Sequence, residues 1–484
     1  MMLKPTINHT RFILSFFLLA FMISLYDRAP DNDEAILAEH SYWLVEDGVP
    51  KGVMYGCMGV GWEDRLYVYH RLFVLTGAAL IKTFGLSLFA LRLFMLGIIG
   101  AFCLTLRSYW RDHFPAENPT GLILSLTLVF SYALFITFGY MWRPEVMVMT
   151  FGFLVYYFLQ RYLSGHSLKY IVPAGLFAGM AALTHLNGVI FIGAGGLLLL
   201  LHKRWGHAVL FGTIGGLVTL LYFWDIGSME EFEALRWQFA NDPVLEKREF
   251  EWYAPAVKAL NDHKRYFHKP REAAFSVLLM VALIVGAKNL WKRHRDLIIY
   301  GGSAGLALGA ISHGHTSKYG LLIMPYMLLL IVHSYLGLQD KKKKGLLTGV
   351  FVLYALVQLV YTGKLISSQV NLPDRNSMIA AQIPEGSTVY GPATFFYNEV
   401  ENYRLYTTQA YNLRVNRYYN LSWSKEDFFS FAKEMEAGYV VIDFKLQNDL
   451  IYKTFTEEEV TEGQSWYGYK VINRGRDYAV LKRM

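Results

Sequence analysis

The chain has 484 residues, of which 54% are hydrophobic, 16% aromatic and 18% charged, with a formal net charge of +7. Few soluble proteins are this apolar, and abundant Trp and Tyr suit membrane–water interfaces. The basic residues are divided among short loops (Lys203-Arg204, Lys292-Arg293, Lys341 to Lys344), a topology signal that argues against nucleic acid as a partner. Cys57 and Cys103 are the only cysteines, which excludes a disulfide framework, and they lack metal-site spacing.

Lys4 and Arg11 precede an apolar run from Phe12 to Tyr26. No small-residue cleavage site follows before Asp27, so the run reads as an uncleaved first span. Pro30-Asp31-Asn32-Asp33-Glu34 then opens a helical run from Ala35 to Glu46. Its Ile36, Leu37, Trp43 and Leu44 fall on one side, which predicts a helix lying along a membrane surface. Asp33 and Glu34 sit in its first turn and point about 100° apart, so they cannot do one job at one spot. Asp33 is a candidate general base and Glu34 a supporting or capping group. A plain acidic N-cap accounts for the same residues. A calcium loop is excluded, because Ala35 and Ile36 occupy positions where it needs ligands and glycine.

A Gly-rich turn (Gly52, Gly56, Gly59, Gly61) leads to a second apolar run, Leu66 to Ile81. It is read as a surface-lying or re-entrant helix, because counting it as a span inverts every later loop. Further spans are expected at Leu88 to Leu106, Gly121 to Phe138, Val146 to Leu159, Tyr170 to Leu183 and Val189 to Leu201. They continue at Ala208 to Trp224, Ala273 to Val285, Leu297 to Ile311, Leu321 to Tyr335 and Leu346 to Leu365, about eleven in all. The long loop from Asp225 to Pro270 carries Phe232, Leu235, Trp237 and Phe239 at near-helical spacing, either an amphipathic lid or a structural surface helix.

With the N-terminus inside, the short loops bearing Arg107, Arg161, Lys203, Lys292 and the Lys341 to Lys344 run all fall inside. The expected organisation is a membrane domain, residues 1–366, with outer loops 27–87 and 225–270, and an extracytoplasmic domain, residues 367–484. That last part has strand-like runs at Ser387 to Tyr390, Tyr403 to Tyr406, Tyr439 to Ile442, Tyr467 to Ile472 and Tyr478 to Leu481. Helical runs at Arg375 to Gln382, Thr394 to Val400 and Lys425 to Glu436 make it a small α/β domain. No nucleotide-binding Gly-rich turn occurs in it.

The outer junctions hold the unusual polar groups. They are Asp33 and Glu34, Glu63-Asp64-Arg65, Arg92, Arg143-Pro144-Glu145, His185 with Asn187, and the run His313-Gly314-His315-Thr316-Ser317-Lys318-Tyr319. Singly, each has an ordinary explanation: snorkelling arginines, an interfacial histidine, a Pro-initiated helix with an acid at its positive end. Together they converge on one rim, where a lipid headgroup would sit. The span middles carry no charged residue, which argues against a translocation path.

This constellation resembles the membrane-embedded glycosyltransferases of the GT-C fold, most of all the bacterial branch related to protein mannosyltransferases and lipid A aminoarabinose transferases. The resemblance rests on Asp33-Glu34 after the first span, the Gly48 end of the following helix, and Phe84-Gly85-Leu86-Ser87 leading to Arg92. It rests also on Arg143-Pro144-Glu145, Thr184-His185, and Lys318-Tyr319 before Pro325. It departs from the family at Glu63-Asp64-Arg65, where a Lys-Pro-Pro-like element is usual. The resemblance implies a polytopic α-helical membrane protein in a bacterial inner membrane. It implies a polyprenyl-phosphate-linked sugar donor, a lipid, glycan or protein acceptor, and Asp33 as the base.

A lipid phosphate leaves as a stable anion, so it needs cations at the rim rather than a strong acid. The candidates are Arg143, Lys318, His185, His313 and Arg92, with Glu145, Tyr319, Asp64 and Arg65 as further site residues. The sequence fixes no cofactor, and a divalent metal ion held by Asp33, Glu34 or His315 is left open. The competing reading is a non-catalytic lipid-phosphate-binding or transport component of envelope polysaccharide assembly.

Overall fold

Each expected span carries helix in the computed structural model, which describes residues 7–113, 119–165, 167–242, 252–312, 314–418, 420–446 and 454–484. The helices run α1 (Ile7–Leu25), α2 (Asn32–Glu46), α3 (Arg71–Phe84), α4 (Leu88–His113), α5 (Thr120–Ser131) and α6 (Ala133–Phe138). They continue with α7 (Pro144–Gly165), α8 (Ile171–Thr184), α9 (Ile190–Leu201) and α10 (Trp205–Leu220). The long loop forms α11 (Met229–Ala240), α12 (Ala254–Asn261) and α13 (His263–Tyr266). After it come α14 (Pro270–Arg293), α15 (Arg295–Ile311), α16 (Met324–Gly337) and α17 (Lys341–Ser367).

Among the described residues, five helices are long and apolar enough to cross a bilayer, within α4, α7, α10, α14 and α17. Shorter apolar helices stand at α1, α5, α8, α9 and α16. This is a multi-pass α-helical membrane protein. The up-and-down order can be read from contacts at the helix ends. At one rim, Arg92 near the start of α4 meets Glu34, and Val370 after α17 donates to the Asp27 carbonyl after α1 at 2.7 Å. At the other end, Arg161 of α7 donates to Asp112 of α4 at 2.6 Å, and His202 after α9 meets Asp296 of α15 at 2.9 Å. The bundle packs through small residues where helices approach closely. A Cβ on Gly175 or Gly179 of α8 would stand 2.8 Å or 2.4 Å from Ile214 or Val218 of α10.

Two expectations are revised. The third span is one run in the sequence but breaks at Tyr132 (φ −72°, ψ 107°) into α5 and α6. The freed Ala133 N–H donates to Gln358 Oε1 of α17 at 2.9 Å, and Gln358 Nε2 donates to the Arg271 carbonyl at 2.8 Å. A side chain from another helix satisfies the break, so no Pro or Gly marks it.

The second revision concerns α2. It was expected to bury one stripe on a surface, yet eight residues from Glu34 to Tyr42 are buried, and Ile36, Trp43 and Leu44 are only partly covered. The cause is a cover on each side. α3 packs on one face, with Gly77 against Ser41. The C-terminal part packs on another, with the Phe396 ring edge-on to Tyr42 at 5.6 Å.

That C-terminal part opens with a helix, Leu372–Ala380, and forms a six-stranded sheet in the order β2-β1-β3-β6-β5-β4. The strands are β1 (Thr388–Gly391), β2 (Arg404–Thr407), β3 (Tyr439–Asp443), β4 (Ser465–Trp466), β5 (Tyr469–Arg474) and β6 (Tyr478–Arg483). β1 pairs parallel to both β2 and β3, and β3, β6, β5 and β4 continue antiparallel. The five strand-like runs are all strands, and β4 is additional. The 3-10 turn Val53–Met58 packs on edge strand β2.

The α2–α3 contact is tight enough to test. A Gly77→Ala methyl would stand 2.3 Å from Ser41 Oγ and 2.8 Å from Trp142 Cζ2. The expected cost is about 1–3 kcal/mol, read as a lower unfolding temperature of the detergent-purified chain and partly restored by Ser41→Gly. A Gly77→Ala chain as stable as the parent contradicts this packing.

Candidate active site

The first turn of α2 is built by Asp31, not by the pair after it. Asp31 is the N-cap and accepts the Asp33 N–H at 2.9 Å, while Glu34 reaches back to accept the Asp31 N–H at 3.0 Å. This is a capping box. Glu34 is fully buried and does more than cap. It takes a two-pronged ion pair from Arg92 (Nε to Oε1 2.9 Å, Nη2 to Oε2 2.6 Å) and accepts the Trp142 N–H at 2.8 Å. Arg92 also donates to the Arg28 carbonyl at 2.9 Å. Glu34 and Arg92 therefore satisfy each other and join α2, α4 and the α6–α7 turn.

Asp33 points the other way, and its side chain keeps 46% of its surface open. Its Oδ2 accepts from Lys318 Nζ at 2.8 Å and from Arg143 Nη1. Arg143 is buried and held on its far side by Glu145, through Nη2 to Oε1 at 2.7 Å and Nε to Oε2 at 3.2 Å. Its Nη1 reaches Asp31 at 3.4 Å as well. Phe138 lies under both cations, 5.8 Å from Arg143 and 5.4 Å from Lys318. Burial opposes charge on Asp33, but the two cations outweigh it and hold its carboxyl below the usual carboxylate range. Burial and the neighbouring Asp33 charge push Asp31 the opposite way.

Beside Arg143 stand stacked rings. His70 lies on His185 at 4.4 Å, and Tyr319 meets His185 edge-on at 5.3 Å. His185 Nδ1 accepts the Asn187 N–H at 3.0 Å, which leaves Nε2 as the ring donor. Burial lowers His185 to about 4, helped by Arg143, and lowers His70 to about 3, helped by His185. Both rings are neutral at pH 7.

Of the residues singled out in the sequence, the structure brings Asp33, Arg143, Glu145, Lys318, His185 and Tyr319 to one place. Glu34 and Arg92 form the buried frame beneath. Arg65 turns instead to the end of α10 and to α11, pairing with Glu231 and the Asp225 carbonyl, and Asp64 is exposed. His313 lies outside the described residues. In α11, Leu235 and Gln238 face inward while Phe232, Trp237 and Phe239 stay exposed, so the helix docks along one edge only. Gln238 accepts the Tyr67 N–H at 2.8 Å.

Sequence reasoning missed Asp31, His70 and Arg265. Arg265 of α13 is fully buried and ties down the segment that carries Lys318. It donates to the Thr316 carbonyl at 2.6 Å and to Ser312 Oγ at 2.5 Å, and pairs with Asp262, which also meets His315 at 3.2 Å. In the sequence it stands among His263, Lys264 and Lys269, where a cation reads as solvated. Arg143 and Lys318 both hold the Asp33 carboxylate through Oδ2. Among the described residues no three His, Cys, Asp or Glu side chains converge as ligands.

The architecture recurs in the crystal structure of ArnT from Cupriavidus metallidurans bound to undecaprenyl phosphate. The two align at TM-score 0.60 and 13% identity over 99% of this chain and 98% of that one. The fold is of the GT-C kind. The apo state of the same ArnT aligns at TM-score 0.57 and 14% identity over 97% of each chain. The archaeal oligosaccharyltransferase AglB from Archaeoglobus fulgidus, in complex with an inhibitory peptide and a dolichol-phosphate, aligns at TM-score 0.47 and 12% identity over 91% of this chain and 70% of its own. No family model and no curated protein matches the sequence.

Two predictions follow from the frame and the rings. Glu34→Leu or Arg92→Leu alone leaves a buried charge unpaired and costs about 3–5 kcal/mol, whereas the double variant loses less than the sum. Unfolding of the three purified chains measures this, and additive losses contradict the pairing. The stacked histidines make a pH prediction. Their folded values lie below the unfolded value of about 6.5, so the stability they contribute is complete above about 6.5 and falls as pH drops toward 4. Melting temperature between pH 7.5 and 5 should fall less steeply for His185→Gln than for the parent. Equal slopes would show that His185 takes up its proton without resistance.

Proposed function

We propose that the chain is a glycosyltransferase that moves a sugar from a polyprenyl-phosphate-linked donor to an acceptor hydroxyl, with Asp33 as general base. The observation that carries this reading is the placement of Asp33, an open carboxylate gripped by two cations at the rim of a membrane bundle. In the protein without substrate that grip makes Asp33 a weak base. A donor phosphate competes for the same cations. As Lys318 and Arg143 turn to the phosphate, Asp33 loses its partners and its basicity rises toward what proton abstraction requires. Donor binding thus switches on the base.

The step balances without a further reagent. Asp33 takes the acceptor O–H proton, the oxygen forms its bond to the sugar C1, and the C1–O bond to phosphate breaks. The lipid phosphate carries the electron pair away, stabilised by Lys318 and Arg143. Glu145 keeps the Arg143 fork oriented, and the Arg265 clamp keeps Lys318 in reach. His185 Nε2–H is a neutral donor beside Arg143, suited to a phosphate or sugar oxygen. ArnT, which shares the fold, was crystallised with undecaprenyl phosphate, and this supports the donor class. The basic loops lie at the end of the bundle opposite the site, which supports a cytoplasmic N-terminus and a site on the extracytoplasmic face of a bacterial inner membrane.

The test is sugar transfer from a polyprenyl-phosphate-sugar pool in membranes containing equal amounts of parent, Asp33→Asn and Lys318→Ala chains. Asp33→Asn should lose about 10²–10⁴-fold in rate while still retaining donor in a pull-down. Lys318→Ala should weaken donor retention. Chelator should leave the parent rate unchanged. Undiminished transfer by Asp33→Asn would remove the base assignment, and loss of transfer with chelator would restore a metal.

A further inference from the structure

On the far side of α2 from the rim lies a second cleft, of about 240 Å³, lined by α2, the Val53–Met58 turn and the C-terminal sheet domain. Met54 and Glu39 form its buried base, at 2% and 1% exposure. Half-buried Trp43, buried Tyr403 and Phe396, and exposed Arg404 also line it. Glu39 is the unusual member. Its Oε1 accepts the Met54 N–H at 2.8 Å and Trp43 Nε1 at 3.4 Å, but Oε2 is buried with no partner among the described residues. An orphaned carboxyl oxygen costs about 1–3 kcal/mol, and nothing in the reaction at Asp33 uses it.

We propose that this cleft is a carbohydrate subsite that holds one hexose ring of the acceptor, against Trp43 and with a hydroxyl hydrogen-bonded to Glu39. The inference rests on the transferase reading for the word acceptor, but its binding claim does not. The chemistry is that of a small-ligand pocket, mostly apolar and aromatic with a few convergent polar groups. A sugar ring has an apolar face for an indole and hydroxyls at its rim for the carboxyl and the Arg404 guanidinium. Burial pushes the Glu39 carboxyl up to about 8, so at pH 7 it is a neutral acid that both donates and accepts, as a hydroxyl partner should.

An acyl chain would leave Glu39 Oε2 unpaired. A peptide added as a strand would have to displace the Val53–Met58 turn packed on β2 and would likewise leave the Glu39 carboxyl unused.

The experiment is saturation-transfer NMR and calorimetry on the full chain in nanodiscs, with the methyl glycosides of glucose, galactose, mannose and N-acetylglucosamine as probes. The expected result is weak, saturable binding of at least one glycoside, made about tenfold weaker by Trp43→Ala and by Glu39→Leu. Glu39→Gln, which keeps the hydrogen-bonding shape of the neutral acid, should stay close to the parent. Arg404→Ala, at an exposed position, should weaken binding without affecting folding, and melting curves identify any variant that fails to fold. Asp33→Asn should bind as the parent does, so a failed transferase reading and a failed subsite give different results. No binding of any probe, binding indifferent to Trp43 and Arg404, or displacement of the glycoside by a short-chain acyl detergent overturns the proposal.

Discussion

The rim is organised by one buried ion pair, Glu34 with Arg92. Taking two charges out of water is costly, and the cost is met only because each charge is fully partnered: Glu34 by the guanidinium fork, a main-chain N–H and its own capping role, Arg92 by Glu34 and the Arg28 carbonyl. The geometry leaves little freedom. Once Glu34 is locked inward, its neighbour Asp33 must turn about 100° away, out of the protein and toward the rim. The adjacency of two acids, ambiguous as a motif, thus becomes a division of labour between a buried anchor and an open carboxylate.

Around that carboxylate the charges form a shared system. Arg143 stands between Glu145 on one side and Asp31 and Asp33 on the other, and Lys318 closes the group. In a low-dielectric setting such a cluster tolerates exchange of one anion for another better than the loss of one. The donor phosphate proposed above would be such an exchange. The neutral histidines nearby add dipoles without adding positive charge, so the cationic character stays with Arg143 and Lys318.

Hydropathy made the helices legible, because a bilayer sets their length and the alternation of basic loops sets their order. The acid pair, Arg143-Pro144-Glu145 and Lys318 stood out because charge beside a span is rare. What was hidden has a common cause: it depends on partners distant in the chain. The break at Tyr132 is satisfied by Gln358, which accepts the Ala133 N–H from 225 residues away. Arg265 is buried by a loop it binds 51 residues later, so its own neighbourhood of cations suggested solvent. The coverage of α2 comes from the last part of the chain, and periodicity within fifteen residues cannot report a partner that is not periodic with them. Asp31 was visible as a cap, but its reach to Arg143 was not.

The double covering of α2 bears on how the protein is made. The helix emerges from the ribosome early, but its outer face is closed by Phe396 and its neighbours from the opposite end of the chain, and Lys318 arrives 285 residues after the carboxylate it meets. Domains generally form in the order of synthesis. Here that order leaves the helix bearing Asp33 half-clad through most of translation, with Tyr42 awaiting the Phe396 ring. A nascent chain stalled before its sheet domain would therefore present α2 with one face still bare.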